Sequence, residues 1–267
     1  MELTSGTRAF VTGASRGIGR ALAERLAARG AIVGLAARSA DELEAVRAGL
    51  PGDHHTVHPC DVSDETAVAE AIAAFVARHG GVDLVVANAG LAHYGPFRDQ
   101  SLQDALQMSE VNWHGTLFTV HAALPHLLDQ ARGHIVVVSS GVALRSFPWG
   151  AVYGATKAAQ RGFAEALRHE LSGTGVSVTT VYPGSTETSL HAREAADRMP
   201  DWTRVGPPPV AAGEIADRIV SGVEADVRSV YHPSNIWLLG AVHNAAPRLS
   251  DAILRQVRGA TAAPRRD

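Results

Sequence analysis

Tyr153 and Lys157 stand four residues apart in an alanine-rich stretch, so both project from one helix face. A free tyrosine has a pKa of about 10 and is a poor base at neutral pH. A lysine ammonium ~4 Å away contributes roughly 4 kcal/mol at an effective dielectric of about 20, enough to bring a phenol near 7. Such a phenol exchanges a proton with a substrate oxygen. The spacing is common on ordinary surface helices, and its weight comes from its surroundings.

A second chemical signal lies near the N-terminus. An apolar run, Ala9–Thr12, leads directly into Thr12-Gly13-Ala14-Ser15-Arg16-Gly17-Ile18-Gly19 and then a helical pattern. Glycines there permit a sharp turn and close approach of a pyrophosphate, which the helix start at Gly17 attracts with unpaired N–H groups and its dipole. Gly19 lets helix and strand pack closely. The second strand ends in Ala37-Arg38-Ser39, where a site selective for NAD often carries a carboxylate for the ribose 2′-hydroxyl. Two guanidiniums, Arg16 and Arg38, instead suit a 2′-phosphate, which favours NADP(H).

The elements that must hold these groups are legible as alternation. Short β-branched runs (Ala9–Thr12, Ile32–Ala36, Thr56–Pro59, Leu84–Ala87, His134–Ser139, Val176–Tyr182) alternate with helical segments Ile18–Arg29, Ala40–Leu50, Thr66–Arg78, Leu102–Leu128 and Ala155–Leu171. The runs are apolar throughout, as in a parallel sheet covered on both faces. The expectation is an α/β, Rossmann-type doubly wound domain of six or seven strands, the seventh at Arg228–Tyr231. One domain over residues 1–267 is expected, with a substrate loop at about 189–210 and an apolar tail at about 234–267. The tail's Ile236, Trp237, Leu238 and Leu239, then Ile253, Leu254 and Val257, read first as a terminal helix packing on its own core, with a subunit or lipid contact as the alternative.

Composition narrows the class. The 267 residues are 46% hydrophobic and 19% charged, ample for a core, and the net charge of −3 offers no basic field for nucleic acid. The single cysteine, Cys60, excludes an intrachain disulfide and lacks the clustered partners of a metal site. Met1-Glu2-Leu3-Thr4 is unlike a secretory signal, and the apolar stretch Ile236 to Val242 is too short to span a bilayer, so a cytoplasmic location is expected.

With these motifs in order, the chain resembles the short-chain dehydrogenase/reductase family, in the branch with the Gly-x-x-x-Gly-x-Gly fingerprint, over about residues 7 to 190. The resemblance implies that Gly13, Ser15, Arg16, Gly17, Ile18 and Gly19 bind the dinucleotide, with Arg38 and Ser39 at the adenosine ribose and Asp61 and Val62 against the adenine. It implies that Asn88, Ala89 and Gly90 shape the cofactor cleft, that Pro183 and Gly184 close the sixth strand, and that Thr188 meets the nicotinamide carboxamide. It assigns catalysis to Asn112, Ser140, Tyr153 and Lys157: Ser140, thirteen positions before Tyr153, holds the substrate oxygen, Tyr153 transfers the proton, Lys157 lowers the tyrosine pKa and grips the ribose, and Asn112 holds a water leading from Lys157 to solvent. Thr186 departs from the valine or isoleucine common at its place. Relatives commonly assemble as dimers or tetramers through the two long helices.

His93, Tyr94, Val142, Phe147, Trp149 and Leu190 come from segments expected to frame a largely apolar substrate pocket, and Trp202 joins them from the loop. Ser139 faces the other side of its strand and reads as structural. The expected reaction interconverts a carbonyl and a secondary alcohol of a hydrophobic small molecule, the cofactor being NADP(H). Two other readings stand beside it: an epimerase or dehydratase using nicotinamide transiently, which would have a different glycine spacing, and a catalytically silent dinucleotide sensor or scaffold, which would lack the tyrosine or lysine. Tyr153→Phe is expected to abolish turnover while leaving cofactor binding largely intact; substantial surviving activity in a nicotinamide absorbance assay would contradict the assignment.

Overall fold

The computed structural model describes residues 1–186 and 209–259. The described strands are β1 (Arg8–Thr12), β2 (Ile32–Ala37), β3 (Thr56–Pro59), β4 (Leu84–Ala87), β5 (Gly133–Val138), β6 (Val176–Pro183) and β7 (Ser229–His232). They pair in parallel throughout, in the order β3-β2-β1-β4-β5-β6-β7. The order reverses between β1 and β4, and in open α/β sheets that switch point opens a crevice at the strands' carboxyl ends.

The near-continuous apolarity of β4 and β5 has a direct cause, because alternate residues enter two cores. Leu84 and Val86 of β4, with Val136 and Val138 of β5, face α1 (Gly17–Ala27) and α7 (Ala212–Glu224); Val85, Ile135 and Val137 face α3 (Glu65–His79), α5 (Gly115–Asp129) and α6 (Ala151–Glu170). Helix starts are marked by side chains. Ser39 Oγ accepts from Glu42 N at the start of α2 (Ala40–Gly49), Asp64 from Ala67 N at α3, and Ser101 from Asp104 N at α4 (Leu102–Met108).

Two expected elements differ. The helix expected over Leu102–Leu128 is α4, then a π-helical turn at Ser109–His114, then α5. In the widened turn the Asn112 carbonyl accepts from two side chains, Thr116 Oγ1 at 2.8 Å and Gln160 Nε2 at 2.9 Å. The tail forms two helices, α8 (Trp237–Ala245) and α9 (Pro247–Gly259), and α8 does not pack its large apolar residues on the core as first read; Trp237, Leu238, Leu239 and Val242 are all exposed.

The opposite end of the sheet is tied by Asp83. Its carboxylate accepts from Arg8 Nε at 2.8 Å, Arg8 Nη2 at 2.7 Å and Arg132 Nη2 at 3.1 Å, and from the Arg8 backbone at 2.9 Å. This fixes β1 against the start of β4, the two strands whose far ends flank the crevice. Burial alone would raise the Asp83 pKa, but the Arg8 hydrogen bonds and the charges of Arg8 and Arg132 outweigh it and hold it below the usual carboxylate range. Its stabilisation is therefore present above the unfolded value near 4 and lost as pH falls through the lower folded value. Asp83→Asn should cost about 2–4 kcal/mol in denaturant unfolding at neutral pH, with the gap to the native chain narrowing in acid; a pH-independent difference would refute the ionic origin.

Candidate active site

Helix α6 begins after Gly150 and carries Tyr153 and Lys157 on its buried face, 5% and 4% exposed. Ser140 follows β5, close enough to the Tyr153 hydroxyl to favour the phenolate against burial, and its Oγ accepts from Val142 N at 3.4 Å. Asn112, wholly buried, lies across α6 from them: its Nδ2 donates to Leu91 O at 2.9 Å and Thr156 Oγ1 at 3.0 Å, and its Oδ1 accepts from Leu91 N at 2.8 Å. A Cβ on Gly90 would sit 3.2 Å from Asn112 Oδ1 and 3.5 Å from Lys157 Nζ. The glycine backbone thus passes directly beside both groups.

The electrostatics differ from the first expectation. Burial pushes the Tyr153 phenol up to about 12, Ser140 acting against it, and pulls Lys157 down to about 7. Lys157 Nζ donates to Val138 O at 2.9 Å and lies 5.9 Å from the Tyr153 ring centre. Desolvation of two buried groups outweighs the attraction that their spacing suggested, so the lysine does not by itself make Tyr153 a base. Asn112 differs too. Both its amide hydrogens are committed and its carbonyl oxygen is taken, which makes it a clamp; only the second lone pair of Oδ1 remains for the water expected there.

Supporting residues went unnoticed in the sequence. Thr156 Oγ1 links Asn112 to the Tyr153 carbonyl, and Gln160 Nε2 ties Asn112 O to Thr116 Oγ1 at 2.6 Å. Ser139 Oγ donates to Lys157 O at 2.8 Å, giving the structural role read for it a definite partner. The one available signal was Gln160, a polar residue three after Lys157 on the face that α6 buries.

Around Tyr153, Tyr94 stands edge-on at 5.6 Å between ring centres, and Phe147 stacks on Tyr94 at 6.1 Å. Ala92 and Met108 are buried with them, and Val142 packs alongside. His93 is set apart: its Nε2 meets Gln107 Oε1 at 3.3 Å. Trp149, at φ 74°, contributes its carbonyl, which accepts from Gly95 N at 2.9 Å. Thr188, Leu190, Trp202 and most of the expected 189–210 loop lie outside the described residues.

The dinucleotide residues gather at the switch point. Gly13 and Gly17 adopt φ of 67° and 56°, and a Cβ on Gly19 would strike Gly13 O. Asn88 Nδ2 donates to Thr12 O at 2.9 Å, while Thr12 Oγ1 accepts from Asn88 N and Ala89 N, so the loops after β1 and β4 are one unit. Unlike α2, α3 and α4, α1 has no side-chain cap, which leaves its first N–H groups for an anion. Ser15 and Ile18 lie half-buried in that loop. Arg16 and Arg38 are exposed, and among the described residues neither pairs with a carboxylate. Ser39 Oγ caps α2; Asp61 Oδ1 accepts from Ser63 N and Oγ; Val62 packs where Gly115 has no side chain. Pro183 ends β6, and Gly184 N donates to His232 O at 2.7 Å. The Thr186 hydroxyl donates to Gly184 O, a bond that valine or isoleucine could not make. These residues fit a bound dinucleotide.

The profile of the family described as short chain dehydrogenase matches residues 7–199. The chain belongs to the short-chain dehydrogenase family. It is 38% identical over 184 residues to an uncharacterized oxidoreductase of Staphylococcus aureus (strain MW2), covering 69% of this chain and 80% of that protein. A short-chain dehydrogenase from Burkholderia cenocepacia J2315 in complex with NADP superposes with a TM-score of 0.80 at 29% identity, covering 95% of this chain and 99% of that one. One from Burkholderia phymatum in complex with NAD gives 0.83 at 26% identity, over 93% and 96%. The protein is thus an oxidoreductase of this family, whose structural neighbours bind NAD or NADP.

Lys157 offers a direct test of the short-chain dehydrogenase site. With a folded pKa of about 7 against an ordinary 10.5, the unfolded chain binds more protons between those values, so this group's contribution to stability rises with pH across that window. Lys157→Met should lose turnover yet unfold later at neutral pH, by about 1–3 kcal/mol after allowing for the Val138 hydrogen bond, with the difference fading towards pH ~10. A variant that is less stable at every pH would mean that the lysine is not desolvated.

Proposed function

We propose that the chain transfers a hydride between NADP(H) and a carbonyl or secondary alcohol of a hydrophobic small molecule, with Tyr153 as the proton-transfer residue. The observation that carries the reading is Tyr153, buried on one helix face with Lys157, the effect of its burial opposed by Ser140, and lined by Tyr94 and Phe147. Ser140 orients the substrate oxygen towards Tyr153 Oη, and the phenol donates its proton there in reduction. A phenol held at about 12 carries its proton at neutral pH, the form that donates in reduction. Nicotinamide, when bound, supplies the hydride. Lys157 Nζ, anchored on Val138 O, is the group to grip the nicotinamide ribose, and the family resemblance assigns Pro183, Gly184 and Thr188 to the nicotinamide end. Asn112 and Thr156 hold α6 in register. Tyr94, Phe147 and Val142 keep water from the reacting oxygen and favour an apolar substrate.

Arg16 and Arg38, exposed and without a carboxylate partner among the described residues, support NADP(H) over NAD(H), since a 2′-phosphate accepts charge-assisted bonds from a guanidinium. We further read the protein as a single domain that is cytoplasmic and homo-oligomeric, a dimer or tetramer. The apolar Leu102 and Leu106, exposed and four apart on α4, support a subunit contact there.

A panel of ketones and alcohols followed at the absorbance of reduced nicotinamide should give turnover with NADPH well above NADH. Arg38→Asp should swing the ratio of kcat/KM values by about 100-fold towards NADH, equivalent to roughly 2.7 kcal/mol. Equal efficiency with both cofactors in the native enzyme would sink the NADP(H) reading, and no turnover with any member would sink the oxidoreductase reading of this site.

A further inference from the structure

Helix α8 presents its apolar side to solvent. Trp237, Leu238, Leu239 and Val242 are 49%, 45%, 51% and 39% exposed, and the residue it buries is Gly240, whose missing Cβ would lie 3.2 Å from Leu144. Leu238, Leu239 and Val242 fall on one side of the helix by their three- and four-residue spacing. No Asp, Glu, Lys or Arg occurs in α8. Leu249, at the start of α9, is 57% exposed, and Arg248 and Arg255 of the same helix are exposed as well. Isolated exposed leucines are ordinary, but a helix with an uncharged outer face is not.

Charge is distributed unevenly in the same sense. From Ser234 to Asp267 the chain carries five arginines against two aspartates, a net of +3, while the whole chain is −3 and the remainder is therefore −6. We propose that α8 and α9 form a docking face for an anionic lipid surface. Trp237, Leu238, Leu239, Val242 and Leu249 enter the headgroup boundary, and Arg248 and Arg255 meet lipid phosphates. Apolar bulk with an indole, flanked by arginine, is the composition of a helix lying in the interface plane. Among the described residues no helix is long and apolar enough to cross a membrane, so the face lies on the bilayer. A two-fold contact between copies would set this basic patch against itself, whereas an anionic surface complements it.

The face adjoins the catalytic segment. Ile236 packs where Gly141 lacks a side chain, one residue after Ser140, and Arg145 donates to Ser250 Oγ at 3.1 Å and Asp251 Oδ1 at 2.6 Å. Docking therefore sets the mouth of the cleft close to the lipid.

Vesicle flotation of the full chain tests this, with phosphatidylcholine alone and with phosphatidylglycerol added. The native protein should float with the mixed vesicles, weakly with phosphatidylcholine, and should be released by high salt. Arg248→Gln with Arg255→Gln should lower partitioning roughly 25-fold, about fivefold per arginine, with turnover on a water-soluble substrate unchanged. Leu238→Ser with Val242→Ser should abolish flotation. Absence of flotation with mixed vesicles, equal binding to both lipid compositions, or a Leu238→Ser/Val242→Ser variant that floats like the native chain would each overturn the proposal. A fall in native mass in that variant without any native lipid binding would identify the face as a subunit contact instead.

Discussion

A lysine and a tyrosine held out of water on one face of α6 set the terms for everything around them. Burying an ammonium is unfavourable unless it is hydrogen-bonded, and among the described residues Lys157 donates to the Val138 carbonyl alone. The neighbouring structure keeps it in place. Ser139 bonds the lysine's own carbonyl, Thr156 bonds that of Tyr153, and Asn112 bonds Thr156. Gly90 removes a side chain that would crowd Asn112 Oδ1 and sit against Nζ. Most of these bonds stabilise geometry more than they stabilise the fold, since an uncommitted charge in this pocket would relax towards water.

The same constraint explains the interrupted helix. A regular helix over Leu102–Leu128 would bond the Asn112 carbonyl within its own backbone. In the π turn that carbonyl accepts from the side chains of Gln160 and Thr116, so α6 and the Asn112 turn are joined by side chains as well as by packing. π-helical turns often occur at functional sites, where one residue must be aimed independently of the helix that carries it. Gln160 is wholly buried, and its amide makes this link possible.

The fold was legible because its signals are local. Strands buried on both faces are apolar at most positions, and Ser39, Asp64 and Ser101 mark helix starts by chemistry that acts over three residues. The Gly13–Gly19 loop was legible for the same reason. Tyr153, Lys157 and Ser140 were readable as a set through family spacing, but their electrostatics were not. A pairwise Coulomb argument from the four-residue spacing predicts a depressed phenol, whereas burial is a property of the whole surrounding structure and pushes it up. Asn112 was found by motif and its partners were not, because Leu91, Thr156 and Gln160 are distant in sequence.

The tail shows the converse difficulty. Its apolar residues at helical spacing are as compatible with a buried helix as with an exposed one, because periodicity reports that a face exists and not what covers it. What distinguishes the cases is which residue meets the protein, and in α8 that residue is Gly240 against Leu144. A glycine at the contact lets the helix approach the Leu144 backbone closely while its leucines point elsewhere. The segment after Ser140 therefore runs from that serine to the support of an outward-facing apolar helix, meeting the tail at Gly141 through Ile236 and at Arg145 through Ser250 and Asp251.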